Sequence, residues 1–280
     1  KNKLLIFIVA YNHEKTIESV INRIPKKLKK LYELEILIID DASSDRTFEI
    51  SKRIQKKEAI KNLKIKVFYN PINQGYGGNQ KIGYHYSIKN GFDFVVLLHG
   101  DGQYAPEELP KLLSGLNQNK YEVVIGSRMI NKKNALRGGM PFYKLVGNII
   151  LTKSQNFLLN KNLAEFHSGY RIYSVESLRK IPFYLNTNDF HFDTEILIQL
   201  FITNSRIKEI SIPTFYGDEI CHVNGIKYAF NIIKTTLIAT LQNKLNFRFS
   251  EKYIKNNQTK KGRYRNKIME KLLIAAKKRS

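Results

Sequence analysis

The stretch Val95-Val96-Leu97-Leu98-His99-Gly100-Asp101-Gly102-Gln103-Tyr104-Ala105-Pro106 constrains this chain more than any other. Its unbroken apolar start, with no polar alternation, reads as a strand buried on both faces, the habit of a parallel sheet. The strand stops at an acidic residue set between glycines. These let the backbone turn tightly and leave Asp101 and Gln103 in the crevice at the strand's carboxyl end. In open α/β sheets that crevice is where ligands bind. A carboxylate and an amide oxygen two residues apart suit a hard divalent cation, Mg²⁺ or Mn²⁺, which would in turn hold a diphosphate.

The rest of the first half agrees with this reading. Strand patterns at residues 4–9, 35–39, 65–69, 94–98 and 123–126 alternate with helical spacing at 14–30, 47–57, 75–89 and 107–116. Pro25 is expected to end or kink the first helix, and Ser44 or Asp45 to cap the second. Such alternation predicts an α/β fold, a mostly parallel central sheet with helices on both faces. The second half is less regular, with helical patterns at 141–159, 193–203 and 225–245 and strand patterns at 169–173 and 206–212. No repeat appears and no low-complexity linker divides the chain, so one domain is expected over residues 1–250, followed by a tail over 251–280.

That tail holds eleven Lys or Arg against two Glu, with Ile268, Met269, Leu272, Leu273 and Ile274 at roughly helical spacing. It reads either as a disordered, solvated end or as a basic amphipathic foothold on an anionic membrane surface. The whole chain carries a net charge of +23, a field that attracts polyanions. With 42% hydrophobic residues over 280 positions the composition is that of a folded globular protein. The single Cys221 excludes an internal disulfide framework and fits a reducing, cytoplasmic setting, peripheral on the inner membrane face if the tail docks there. It shares no zinc-ligand spacing with His13, His85, His167, His191 or His222. The apolar run at 4–10 is too short for a signal peptide and leads into Tyr11-Asn12-His13-Glu14, so it reads as the first strand. No stretch reaches the ~20 apolar residues that span a bilayer. The chain opens on Lys1 rather than Met, which reads as a piece of a longer protein.

Three strand ends carry polar clusters: Ala10-Tyr11-Asn12, Asp40-Asp41 and His99 to Gln103. In a parallel sheet they face one edge and make one site. Asp41 suits a nucleobase N–H or a ribose hydroxyl, and it equally suits a helix N-cap. Gly75-Tyr76-Gly77-Gly78 is a weak phosphate-cradle pattern, lacking both G-x-G-x-x-G spacing and the P-loop Lys. A helix start that needs close backbone approach accounts for it as well.

These motifs together resemble the nucleotide-sugar glycosyltransferases of family two, with the GT-A fold, and within them the dolichol-phosphate mannosyltransferase-like branch. The resemblance rests on Val9-Ala10-Tyr11-Asn12-His13-Glu14, Ile38 to Thr47, Asn73-Gln74-Gly75-Tyr76-Gly77-Gly78-Asn79, His99 to Tyr104, Gly126-Ser127-Arg128, Gly138-Gly139-Met140-Pro141 and His167-Ser168-Gly169-Tyr170-Arg171, in family order over roughly residues 4 to 220. It implies that Ala10, Tyr11 and Asn12 flank the base of a nucleoside-diphosphate sugar donor, with Asp41 reading the base and Gly75 beside it. It implies that Asp101 and Gln103 hold the metal on the donor diphosphate, and that Arg128 and Arg171 neutralise phosphate charge. The family's D-x-D motif has an Asp where this chain has His99. A neutral imidazole there binds Mn²⁺ better than Mg²⁺, or stands behind the ligands.

An inverting transfer to a hydroxyl needs a general base, whereas a phosphate acceptor needs only cationic positioning. The candidate bases are Glu165, Asp189, Asp193 and Glu195, with Asp193 also suited to cap a helix. The arginines and the basic chain favour a polyprenyl phosphate acceptor, with a glycan hydroxyl in surface polysaccharide synthesis as the alternative. A basic RNA-binding protein is the reading of another class, but no RNP, KH or helix-turn-helix pattern supports a nucleic-acid partner.

Overall fold

The computed structural model describes residues 1–59, 63–116, 120–216, 224–254 and 260–278. Cys221, His222 and residues 255–259 of the expected tail lie outside the described residues.

The strands are β1 (Lys3–Ala10), β2 (Glu33–Asp40), β3 (Lys64–Tyr69), β4 (Phe94–His99), β5 (Val123–Ser127), β6 (Arg171–Ser174) and β7 (Ile207–Ser211). The helices are α1 (Ile17–Asn22), α2 (Leu28–Leu31), α3 (Thr47–Ala59), α4 (Tyr76–Lys89), α5 (Leu109–Ser114), α6 (Lys132–Arg137), α7 (Phe142–Leu159), α8 (Val175–Arg179), α9 (Phe192–Ile202), α10 (Gly225–Leu245) and α11 (Lys260–Lys277). The strands form one sheet in the order β3-β2-β1-β4-β6-β5-β7. All pairings are parallel except those of β6, which runs antiparallel to both β4 and β5. The fold is therefore α/β with a mostly parallel sheet, as the β–α alternation predicts. The region 14–30 is two short helices, α1 and α2, because Pro25 lies between them. Asp45 caps α3 as expected, its Oδ1 accepting from the Thr47 backbone N at 2.9 Å.

Alternate residues of the central strands enter two cores. On one face Ile6, Ile8, Val96 and Leu98 pack with α1, α3 and α5; on the other Leu5, Phe7, Val95 and Leu97 pack with α4, α8, α9 and α11. Helix α11 is part of the second core. Leu273 and Ala276 are fully buried there, and Glu270 pairs with His85 at 2.8 Å and with Lys89. Over the described part the expected disordered tail is an amphipathic helix: Met269 and Leu273 of its apolar stripe are buried against the protein, while Ile274 stays exposed. Lys252, also in that stretch, pairs with the buried Glu195 at 2.6 Å.

Candidate active site

The chain leaves β1 toward β2 and β3 on one side, and β4 leads on to β5 on the other, so the reversal of strand order falls between β1 and β4. Crevices at such reversals hold ligands. Ala10 lies opposite Asp40, and Val9 opposite His99. The tips of β2 and β4 therefore stand either side of β1, about 10 Å apart by two strand spacings. Backbone bonds lock the tips together: Asp41 N donates to Ala10 O at 2.8 Å, and Gly100 N to Val9 O at 3.0 Å. The expected convergence of the three polar clusters is what the sheet produces.

Asn12 ties the first two tips. It sits at φ 56°, accepts from the Ser44 N through Oδ1 at 2.9 Å, and donates its own N to Ser43 Oγ at 2.9 Å. Tyr11 beside it is 40% exposed and free to cover a flat ligand. Asp40 and Asp41 are both buried. Asp41 does not cap a helix; its Oδ1 accepts from Asn70 Nδ2 at 2.7 Å and Gln74 N at 2.8 Å, holding the 70–75 segment against the strand ends. Burial raises its carboxyl above the ordinary range against those hydrogen bonds. Asp40 is pushed up to about 6 by burial, and its Oδ2 has no partner among the described residues.

Gly75 serves the helix start with close backbone approach that its sequence suggested. At φ 77° it starts α4, and a Cβ there would lie 2.7 Å from the Asn188 carbonyl oxygen, leaving no room for a ligand on that side. The close backbone approach is the reason for the glycines.

Asp101, Gly102 and Gln103 are half-buried at the mouth of the crevice. Asp101 Oδ1 accepts from the Gln103 N at 2.9 Å, which folds the loop so that both side chains serve one turn. Among the described residues no three His, Cys, Asp or Glu side chains converge on a point. A carboxylate and an amide fit a hard cation whose remaining ligands come from a diphosphate and water, so the donor set fits Mg²⁺ or Mn²⁺ in that role.

His99 is held from behind. Tyr76 Oη donates to Asp193 Oδ2 at 2.8 Å and lies 3.1 Å from His99 Nε2. The tyrosine's one hydrogen is engaged, so Nε2 carries the proton and donates to Tyr76. Burial keeps the imidazole below its usual range against the charges of Asp101 and Asp193, hence neutral. Nδ1 then has a lone pair, no hydrogen-bond partner among the described residues, and is not among the sealed polar atoms.

Two expected phosphate clamps are corrected. Arg171 is fully buried: its Nε donates to Ser168 O at 2.7 Å, Nη1 to Asp193 O at 2.6 Å and Nη2 to Phe166 O at 2.8 Å. It staples the 166–171 loop to α9 and cannot meet a ligand. Arg128 is buried against Glu165, donating Nε to Oε1 at 3.0 Å, while Nη1 reaches Tyr216 Oη at 3.0 Å. The expected bases change with them. Burial raises the Glu165 carboxyl, but the Arg128 charge and hydrogen bonds outweigh it and hold the group below the carboxylate range. Glu165 also accepts from the Arg128 backbone N at 2.7 Å and Asn148 Nδ2 at 3.0 Å. Asp193 accepts from Tyr76 and, at 3.3 Å, from Gln80 Nε2, so it neither caps α9 nor faces an open site. Glu195 binds Thr187 N at 2.6 Å and Lys252. Asp189 alone of the four is half-buried with only one oxygen engaged, by Phe190 N at 2.7 Å.

Sequence reasoning missed Tyr76, Gln80 and Tyr104. Tyr104 accepts from Gly169 N at 2.8 Å and lies under Arg128, 5.8 Å from ring centre to guanidinium. Nothing in their spacing marks them, since the bonds of Tyr76 and Gln80 to Asp193 and of Tyr104 to Gly169 each span more than sixty residues.

The family profile described as glycosyl transferase family 2 matches residues 5–182. A UDP-N-acetylglucosamine–dolichyl-phosphate N-acetylglucosaminyltransferase of Methanococcus voltae is 30% identical over 226 residues, 78% of this chain and 88% of that protein. An undecaprenyl-phosphate mannosyltransferase of Micrococcus luteus is 25% identical over 219 residues, 78% of this chain and 85% of that one. Among solved structures, a glucosyl-3-phosphoglycerate synthase of Mycobacterium tuberculosis in complex with Mn²⁺, UDP and phosphoglyceric acid superposes with a TM-score of 0.59 at 18% identity, covering 89% of this chain and 81% of that one. That likeness supports the fold. With a profile match over well over half its length, this chain belongs to glycosyl transferase family 2.

Proposed function

We propose that the protein transfers a sugar from a nucleoside diphosphate to a polyprenyl phosphate, with inversion at the anomeric carbon and with Mg²⁺ or Mn²⁺ bound. The observation that carries the acceptor class is the state of the expected bases. Three of the four, Glu165, Asp193 and Glu195, are engaged inside the protein, and Asp189 alone keeps an oxygen unengaged among the described residues. An acceptor that arrives as an anion needs none of them. The names of the Methanococcus voltae and Micrococcus luteus relatives, both acting on polyprenyl-type phosphates, support the same choice.

In this reading the donor lies across the tips of β2, β1 and β4. Tyr11 covers the base, the backbone at Ala10 and Asn12 borders it, and Asp41 offers Oδ2 while Oδ1 holds the loop. Asp101 and Gln103 would hold the cation, with the neutral imidazole of His99 beside them. When bound, the cation stabilises charge on the leaving diphosphate. Arg128 keeps the Glu165–His167 wall in place. The cationic positioning passes to Lys144 on α7, half-buried and 5.2 Å from the centre of the Tyr216 ring that Arg128 touches.

The test is incubation with radiolabelled UDP- and GDP-sugars, Mn²⁺ and a polyprenyl phosphate in detergent. Label is expected in an organic-soluble product labile to mild acid. Label appearing only in water-soluble product, with Asp189 required, would transfer the assignment to a hydroxyl acceptor.

A further inference from the structure

A chain of hydrogen bonds runs behind the crevice from a helix to the tip of a strand. It starts at Asp193, the second residue of α9, passes through Tyr76, the first of α4, and ends at His99, the last of β4. The two oxygens of Asp193 have different neighbours. Oδ2 accepts from Tyr76 Oη at 2.8 Å, whereas Oδ1 accepts from Gln80 Nε2 at 3.3 Å and lies 3.9 Å from Arg171 Nη1. Both rings are held. Tyr76 stacks on Phe190 with centroids 5.3 Å apart, and His99 meets Tyr104 edge-on at 5.0 Å. Gly169 closes over the Tyr76–His99 bond: a Cβ there would lie 2.6 Å from His99 Nε2 and 2.8 Å from Tyr76 Oη. A carboxylate only accepts, so the single tyrosine hydrogen goes to Asp193, and Tyr76 accepts from His99 Nε2 at 3.1 Å. Nδ1 is left unprotonated, without a hydrogen-bond partner among the described residues.

We propose that Asp193 and Tyr76 are positioning residues that keep His99 Nδ1 unprotonated and thereby give the cation site a preference for Mn²⁺ over Mg²⁺, a role that rests on the reading of residues 101–103 as that site. An imidazole nitrogen is a softer donor than a carboxylate oxygen. It suits Mn²⁺ better than Mg²⁺, which keeps to hard oxygen ligands. It coordinates only through a lone pair, and the hydrogen bond made by one ring nitrogen decides whether the other has one. Such a partner behind an imidazole also fixes the direction of the ring, and its loss costs roughly ten- to a hundredfold in metal affinity. Packing alone does not require the tyrosine hydroxyl, since the stack on Phe190 needs only the ring.

Asp193→Asn tests the chain from its far end. Gln80 and Arg171 present donors on the Oδ1 side, so the amide oxygen turns to them and the amide nitrogen to Tyr76. Tyr76 then accepts from the amide and gives its own hydrogen to His99 Nε2, and the imidazole proton sits on Nδ1 instead. An amide in place of a carboxylate is known to invert a tautomer in this way. Nitrogen NMR of the metal-free protein with isotope-labelled histidines, His99 being assigned by its loss in His99→Gln, reads this directly. Wild type is expected to show Nε2 protonated and Nδ1 bare, and Asp193→Asn the reverse. In calorimetric titrations with UDP present, Asp193→Asn and Tyr76→Phe are each expected to weaken Mn²⁺ binding by about tenfold and to leave Mg²⁺ binding nearly unchanged. Should Asp193→Asn fail to fold for want of a partner for Arg171, Tyr76→Phe decides, because it keeps the ring on Phe190. A protonated Nδ1 in wild type overturns the proposal. So does a wild type without the Mn²⁺ preference, or an affinity ratio that Tyr76→Phe leaves as it was. Mn²⁺ binding undiminished in Asp101→Asn would remove the cation reading and this preference with it. Mn²⁺ binding lost in Asp101→Asn, with the ratio kept in Tyr76→Phe, would remove the role of the chain alone.

Discussion

Two arginines with similar sequence surroundings have lost the role their motifs imply, because a guanidinium acts where its hydrogen bonds point. Arg171 gives every nitrogen to the protein, three of its acceptors being backbone carbonyls, and Arg128 is neutralised by Glu165. Asp101 differs from both: it is half-exposed and has an oxygen to offer. Asp101→Asn is therefore expected to abolish the Mn²⁺-dependent rise in melting temperature given by UDP or GDP, a stabilisation of about 3 kcal/mol at a hundredfold excess over Kd. An undiminished rise would take the metal away from this loop. Asp40 yields a pH effect. Folding holds its proton up to about pH 6, whereas the unfolded chain releases it near 3.8. The folded state thus binds the extra proton between those values, and this group's contribution to stability is greatest below pH 4 and is lost as pH rises through 6. The loss is about 3 kcal/mol. In urea titrations the difference between Asp40→Asn and wild type is expected to move in the variant's favour by about 2 kcal/mol from pH 4 to pH 7; a difference constant with pH would refute it.

At the scale of elements, the helices divide by what they bury. Helix α4 is buried nearly all round, so its glycines admit the 187–188 backbone at close range. Helices α7 and α10 each end at an asparagine in the left-handed conformation, Asn160 and Asn246, which stops the helix, and Asn160 N donates to Asn156 O. The apolar stripes of these two helices can be read from the sequence as amphipathic spacing, yet periodicity does not say which stripe meets the core. Helix α11 makes the same point in reverse. Its basic, sparsely apolar sequence reads as a free tail, but Leu273 meets a waiting hydrophobic surface beside α4 and the residues 183–185 turn. Leu273→Ala is expected to cost about 2–3 kcal/mol, the low end for a buried leucine because a terminal helix can relax. Chemical denaturation checks this. A cost below half a kcal/mol would mean that α11 is not docked in solution.

Across the whole molecule, function follows from strand order. Placing β4 beside β1, with β2 on the other flank, brings residues 10–12, 40–41 and 99–103 to one edge although the chain separates them by up to ninety positions. Buried apolar strands, the helical spacing between them and the glycine-set Asp101 were legible because each is a local pattern with a local physical cause. From these the sequence by itself determined an α/β sheet, the edge at which its polar strand tips gather, and the carboxylate of Asp101 at that edge. Tertiary structure alone decided which charged groups stay open to a ligand. Whether Arg128, Arg171, Glu165 and Asp193 face solvent or each other depends on partners brought from distant segments, and desolvation makes a buried charge pair where it can. The antiparallel insertion of β6 was likewise hidden, because four residues carry no record of the strands that will flank them.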